Sequence, residues 1–225
     1  MLYDETAVKA NIRNRDGKRV FFLGKEDRLT PSARDWLSKE RIAILPGEQA
    51  RITRYRLLGG GFCEEKPEHM THLYGDVLVN KTHPRIAFRG KVDLLESELI
   101  LCKLKTGIPG LQDILALARR LIRCDVMEEP VGEVHLCGLT AQEQRRRSHF
   151  PQEAFGIPHF MPEAEDGETI AHLNRCRALC RSAELAACHA FADREGNPTR
   201  PDILQALNRM SSMLYILMLE EKSKK

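Results

Sequence analysis

The sequence contains no apolar run approaching the roughly twenty residues that a membrane-spanning helix needs. Its opening stretch, MLYDETAVKANIRNRDGK, lacks the apolar core of an export signal. Net charge is only +3, so there is no global pull toward nucleic acid or a membrane surface. No internal repeat or low-complexity tract is present. Seven cysteines without an export signal read as reduced thiols, not as a disulfide framework. These absences leave a soluble cytoplasmic protein as the expectation. What is present is 225 residues with 42% hydrophobic content, enough for one domain with a sizeable core, or one domain and a small appendage.

The first 68 residues read as a small strand–helix–strand segment followed by a linker. Arg19–Leu23 and Ile42–Leu45 are short apolar runs that suit strands. Between them Thr30 suits a helix N-cap and Pro31 the first helical position. Such a piece is too small for a full core of its own. Residues 47–68, with glycines at 59–61, read as a linker or mobile loop. Residues 69–225 read as the main domain, and from Pro84 onward the pattern is helical. Apolar positions at Val92, Leu95 and Leu99 mark a helix ending near Gly107. Leu111, Ile114, Leu115, Ala118 and Leu121 mark another that closes before Pro130. Thr140-Ala-Gln-Glu143 forms a capping box for a short helix. Residues 150–168 read as loop, and two long helices follow, at about 168–192 and 200–221. The expected fold is mainly α: an antiparallel bundle of four or five helices with a small N-terminal α/β segment.

Two patterns in the last helices carry chemistry. Arg177, Arg181 and Glu184 are spaced four and three apart, so they share one helix face. Leu207, Met210, Leu214 and Leu217 form an apolar stripe, with Asn208 and Arg209 at its edge. Polar groups beside the packing faces of two long helices suit a site built between helices. The alternative is a pair of ordinary amphipathic helices with solvated charges.

Five segments, in order, resemble one family. Arg28-Leu-Thr-Pro-Ser-Ala-Arg34 comes first, then Lys81-Thr-His-Pro-Arg-Ile86 with Gly90-Lys-Val-Asp93. Phe160-Met-Pro162 resembles an aromatic–proline loop that precedes an arginine helix. The Arg177, Arg181 and Glu184 stripe and the stretch Arg200–Ser211 complete the series. Over nearly its whole length the chain resembles the corrinoid adenosyltransferases, above all the ethanolamine-utilisation (EutT) type, with the propanediol-utilisation (PduO) type similar over the bundle. The resemblance implies transfer of the 5′-deoxyadenosyl group from ATP to cob(I)alamin, with release of triphosphate. ATP, Mg2+ and cobalamin are then the implied small molecules. A homo-oligomer, dimer or trimer, is implied, together with a reductase and an ethanolamine lyase as partners and a cytoplasmic or microcompartment location.

The resemblance also implies roles. Lys81, Arg85, Arg177 and Arg181 would hold the triphosphate, for which the planar arginine fork is suited. Asp93 would pair with Arg177 across helices, Asn208 would contact nucleotide, and Glu184 belongs to the same stripe. Phe160 would fill the lower face of the corrin and displace its axial ligand, easing reduction. Thr71 and His72 match the EutT type in a segment where the PduO type has a glycine-rich phosphate loop. The segment Met70–Lys81 has one glycine, so backbone donors from a flexible loop are the expectation.

The sequence departs from the pattern at the metal motif that some EutT-type enzymes carry before Thr-His. Here Cys63, His69 and His72 supply three ligands at best, one short of a structural zinc site. No required metal site is expected. Three other functions compete: a protein that delivers adenosylcobalamin with little turnover, a microcompartment scaffold or cargo, and a nucleic-acid binder using Arg145–Arg147. No nucleic-acid motif accompanies that triplet.

Overall fold

A computed structural model describes residues 1–15, 18–47 and 55–224. The protein is mainly helical, with its strands in the N-terminal part. It divides into two compact units, Met1–Lys81 and Thr82–Lys225.

In the first unit β1 (Leu2–Tyr3), α1 (Glu5–Ala10) and β2 (Arg13–Arg15) precede β3 (Lys18–Leu23), β4 (Arg28–Leu29), α2 (Pro31–Lys39) and β5 (Ala43–Pro46). β2, β3 and β5 form one sheet, and β1 pairs with β4. α2 starts as its sequence dictates: the Thr30 hydroxyl accepts the Ala33 N–H at 3.3 Å, and Pro31 follows it. Val8, Phe21, Ala33, Leu37 and Ile42 are buried together, so this piece has a small core of its own.

The 47–68 stretch is not simply a linker. Residues 48–54 lie outside the described residues, but Tyr55–Leu57 is a strand, β6, and Phe62–Cys63 another, β7. Nor is 70–81 a flexible loop: β8 (Met70–Tyr74) and β9 (Val77–Asn80) form an antiparallel hairpin. The four strands make one sheet in the order β7-β6-β9-β8. The alternation that hides these strands is short, and β6 gains its partner β9 from twenty residues downstream, in parallel.

The second unit is built on four long helices: α3 (Pro84–Thr106), α4 (Leu111–Met127), α7 (Glu168–Ala190) and α8 (Pro201–Lys222). Between α4 and α7 lie α5 (Ala141–His149) and α6 (Pro151–Phe155), then a 3-10 turn at Ala164–Asp166. The 150–168 stretch is therefore partly helical, with Pro151 starting α6. α3 stops at Gly107, whose φ of 69° is left-handed and suits glycine. The predicted capping box of α5 is present in both directions between Thr140 and Glu143.

α7 packs against both α3 and α8, and α3 against α4. α8 is the central helix: Leu207, Met210, Leu214 and Leu217 of its apolar stripe are buried, and so are most neighbours from Ile203 to Leu219. The inward side of α7 carries Ile170 and Leu173 near its start and then small residues, Cys176, Cys180, Ala183 and Ala187, all fully buried. That lets the helix axes approach closely. No helix among the described residues is long and apolar enough to cross a membrane.

One end of this unit holds a dense ionic cluster. The Asp125 side chain near the end of α4 is fully buried. It accepts from Arg85 Nε at 2.8 Å and from Arg89 Nε at 2.5 Å, both on α3. Arg85 also donates to the Asp125 carbonyl at 2.7 Å. Arg200, just before α8, bonds Asp202 and the Glu129 carbonyl. The Phe191 ring lies 5.9 Å from the Arg85 guanidinium and 6.0 Å from that of Arg200.

Candidate active site

α7 and α8, with α5 and the loop after α6, enclose a cleft of about 220 Å³. Arg177 and Arg181 enter it from α7, and Asn208, Ser211, Ser212 and Tyr215 from α8. Ser148, His149 and His159 close it. The two arginines are one turn apart, and neither forms an ion pair among the described residues. Partial burial, and then repulsion from Arg181, hold the Arg177 pKa below its ordinary value. Two adjacent cations beside serine hydroxyls, with no carboxylate among the lining residues, are an arrangement that can accept an anion.

The cleft continues past Asn208 into a second hollow of about 580 Å³, lined by Glu184 of α7, Arg209 of α8 and Arg145 of α5 among others. Asn208 donates to Glu184 Oε1 at 3.3 Å and thus stands between the two spaces. Arg209, expected at the edge of the apolar stripe, is buried: its guanidinium bonds the Ala141 carbonyl at 3.2 Å and the Asn208 side chain.

Phe160 reaches the same place from the loop after α6. Its ring stacks on that of Tyr215, centroids 5.9 Å apart. On its own flank the Lys222 ammonium lies 5.4 Å from the ring centre, and Lys222 is itself bonded to the buried Asp166. Arg177 in turn lies 5.4 Å from the centre of the Tyr215 ring.

Of the residues singled out from sequence, Arg177, Arg181, Glu184, Asn208 and Phe160 are thus brought together. Arg85 is not among the cleft residues, because the buried Asp125 carboxylate engages it. Asp93 is exposed on α3, and no ion pair joins it to Arg177 among the described residues. The α3–α7 pair that forms is Arg175 with Glu98, at 2.9 Å. Two residues are about 200° around a helix, so Arg175 faces α3 while Arg177 faces Tyr215.

Thr71, His72 and Lys81 belong to the first unit. Thr71 and His72 lie in β8, in register with Val79 and Leu78. Burial, then Lys66 and Arg13, lower the His72 pKa from its ordinary value. Lys81 is exposed, and its N–H donates to the His69 carbonyl at 2.9 Å. Cys63 lies in β7 and His72 in β8, at opposite edges of the four-stranded sheet. Three strand spacings of about 4.8 Å separate them, too far for one metal ion. Among the described residues, no group of three or more His, Cys, Asp or Glu could hold a metal.

Sequence reasoning missed Tyr215, His159 and the two serines. A signal existed: Asn208, Ser211, Ser212 and Tyr215 follow the i, i+3, i+4, i+7 spacing of one face. It was masked because Tyr215 sits among apolar neighbours and reads as core.

The sequence of this chain matches a known family over most of its length. Residues 62–221 fit the cobalamin adenosyltransferase family model. The chain belongs to the cobalamin adenosyltransferase family. It is 32% identical over 241 residues to a protein of Salmonella typhimurium named corrinoid adenosyltransferase EutT, covering 96% of this chain and 90% of that one. A protein of the same name from Escherichia coli K12 is 31% identical over the same shares.

Proposed function

We propose that the protein transfers the 5′-deoxyadenosyl group of ATP to the cobalt of cob(I)alamin, supplying adenosylcobalamin for ethanolamine utilisation. The cobalt electron pair attacks C5′, the C5′–O bond breaks, and its electron pair leaves with triphosphate. Charge therefore grows on the leaving group, and catalysis needs cations held ready for it. The observation that carries the reading is the adjacent Arg177 and Arg181 in the cleft, without a carboxylate partner among the described residues.

Asn208, between the two hollows, would contact the nucleotide where triphosphate gives way to nucleoside. Phe160 would act on the corrin, at the lower face of the ring. Mg2+ would be carried by triphosphate oxygens and water, as the ion prefers, with Glu184 beside Asn208 holding one of its waters. When bound it would neutralise part of the charge on the leaving group. Asp93, Arg85, Lys81, Thr71 and His72 enter this reading from the resemblance alone. So do the antiparallel bundle, the homo-oligomeric state, the reductase and lyase partners, and the cytoplasmic or microcompartment location.

The test is adenosylation of chemically reduced cobalamin, followed by the absorbance change and by release of triphosphate. Stoichiometric formation of both products supports the reading. Tight binding of ATP and adenosylcobalamin without turnover would replace it with a delivery protein.

A further inference from the structure

We propose that Tyr215 is a positioning residue that ties the arginine pair to the Phe160 loop, so that the anion side and the corrin side of the cleft are set together. The inference rests on the adenosyltransferase reading above.

Tyr215 is 8% exposed, yet it touches each part of the site. Its ring carries the Arg177 guanidinium on one side, within the range of a cation–π contact. The same ring stacks on Phe160, with the planes 26° apart, and on His159, with the planes 12° apart. Its hydroxyl accepts the Phe160 N–H at 3.1 Å and lies 3.3 Å from His159 Nδ1.

The tautomer of His159 follows from its other nitrogen. Nε2 lies 3.0 Å from the His149 carbonyl, which can only accept, so Nε2 holds the proton. With Nδ1 as an acceptor, the Tyr215 hydroxyl accepts from the Phe160 N–H and points its one proton toward two acceptors, His159 Nδ1 at 3.3 Å and the Phe160 carbonyl at 3.4 Å. One hydroxyl therefore fixes two consecutive residues of the loop from the central helix. Phenylalanine at this position would keep the ring under Arg177 and release the loop.

A purely structural tyrosine would share these contacts, so the test separates the two halves of the site. In Tyr215→Phe, ATP affinity by calorimetry should stay within about twofold, since the cation–π face is kept. Turnover from cob(II)alamin with a reductant should fall about tenfold, the scale of one lost buried hydrogen bond. The spectrum of four-coordinate cob(II)alamin should weaken with it. Activity with ready-made cob(I)alamin should fall much less.

Adding Tyr215→Phe to Phe160→Ala should cause little further loss, because the hydroxyl acts through Phe160. His159→Ala reaches the same hydroxyl from the exposed side of the loop, and should shift the two assays in the same direction even if Tyr215→Phe folds poorly. Equal losses in both assays, or full additivity with Phe160→Ala, would make Tyr215 a packing residue and overturn the proposal. If the parent protein forms no adenosylcobalamin, the adenosyltransferase reading itself fails. If the parent turns over and Tyr215→Phe matches it, only the positioning role fails.

Discussion

The helical unit uses arginine in two opposite ways. Where α3 begins and α4 ends, Arg85 and Arg89 converge on a fully buried Asp125, and Arg200 is closed off by Asp202 and a carbonyl. In the cleft, Arg177 and Arg181 stand side by side with hydroxyls and an aromatic face around them. Each cluster holds an arginine partly withdrawn from water, Arg85 in the first and Arg177 in the second, but among the described residues only the first pairs its cations with a carboxylate. A cation whose partner is built in holds the fold; one without such a partner among the described residues can receive an incoming anion. The sequence stripe of arginines is the same kind of signal in both places, so burial of the carboxylate separates them, not the spacing of the cations.

That contrast can be broken, and the largest effect is expected at Asp125. Asp125→Ala leaves Arg85 and Arg89 facing each other in a buried site, and should cost roughly 3–5 kcal/mol of stability in denaturant unfolding. A loss near zero would show that water reaches this cluster and that its arginines are free for other work. Arg181→Ala should do the reverse. The melting temperature should hardly move, since alanine favours helix. ATP affinity should fall by about 10- to 100-fold, the scale of lost hydrogen bonds to a charged group. Arg181→Lys should restore only part of it, because a point charge lacks the planar fork. Unchanged affinity in the alanine variant would remove Arg181 from the site.

The Arg200–Asp202 pair sharpens the comparison through pH. The hydrogen bond from Arg200 is the main cause of a lowered Asp202 pKa, opposed by burial and helped by the Val131 N–H. A carboxyl with a depressed folded pKa stabilises the protein above its unfolded value, near 3.8, and that contribution is lost as pH falls through the folded value. Acid unfolding of Asp202→Asn should therefore be flatter than that of the parent below about pH 4. Identical acid limbs would mean the pair does not persist in solution. The smallest effect is expected from Asp93→Asn. An exposed helix position should change stability by less than about 0.5 kcal/mol. A clear loss of stability would show that Asp93 finds a cation in the working assembly after all.

The helices were legible because each carries its own punctuation. Thr30-Pro31, the Thr140–Glu143 box, Gly107 and Pro201 mark boundaries by local chemistry, and all four do so in the structure. The sheet formed by β6 to β9 was not legible. Tyr55–Leu57 and Phe62–Cys63 are too short to show alternation; they pair with each other, and Arg56 and Leu57 pair with the distant Val77 and Leu78. In the site, the spacing of Arg177 and Arg181 was readable, because helix periodicity reports faces. What periodicity cannot report is the partner across a face. The roles of Arg85 as a phosphate ligand and of Asp93 as the counter-charge of Arg177 came from the resemblance, and nothing in the sequence showed that Asp125 engages Arg85 or that Asp93 lies exposed. Tyr215 was hidden for a related reason: it shares a helix face with Asn208, Ser211 and Ser212, but its apolar neighbours make it read as plain core.

The dry side of the arginine helix has its own bearing on how this site could be changed. Cys176, Cys180, Ala183 and Ala187 make a thin seat on which α7 rests. A bulkier side chain there should act as a shim, shifting α7 and with it the two guanidinium groups it carries. The small residues meet both neighbours, Cys180 bonding the Leu207 carbonyl of α8, so their thickness bears on how closely α7 sits to its partners. Variants that change the size of the cleft should therefore hold these positions constant while varying Ser211 and Ser212. A shim series at Ala183 would in turn work as a ruler for how far the two charges can be displaced before they lose their anion.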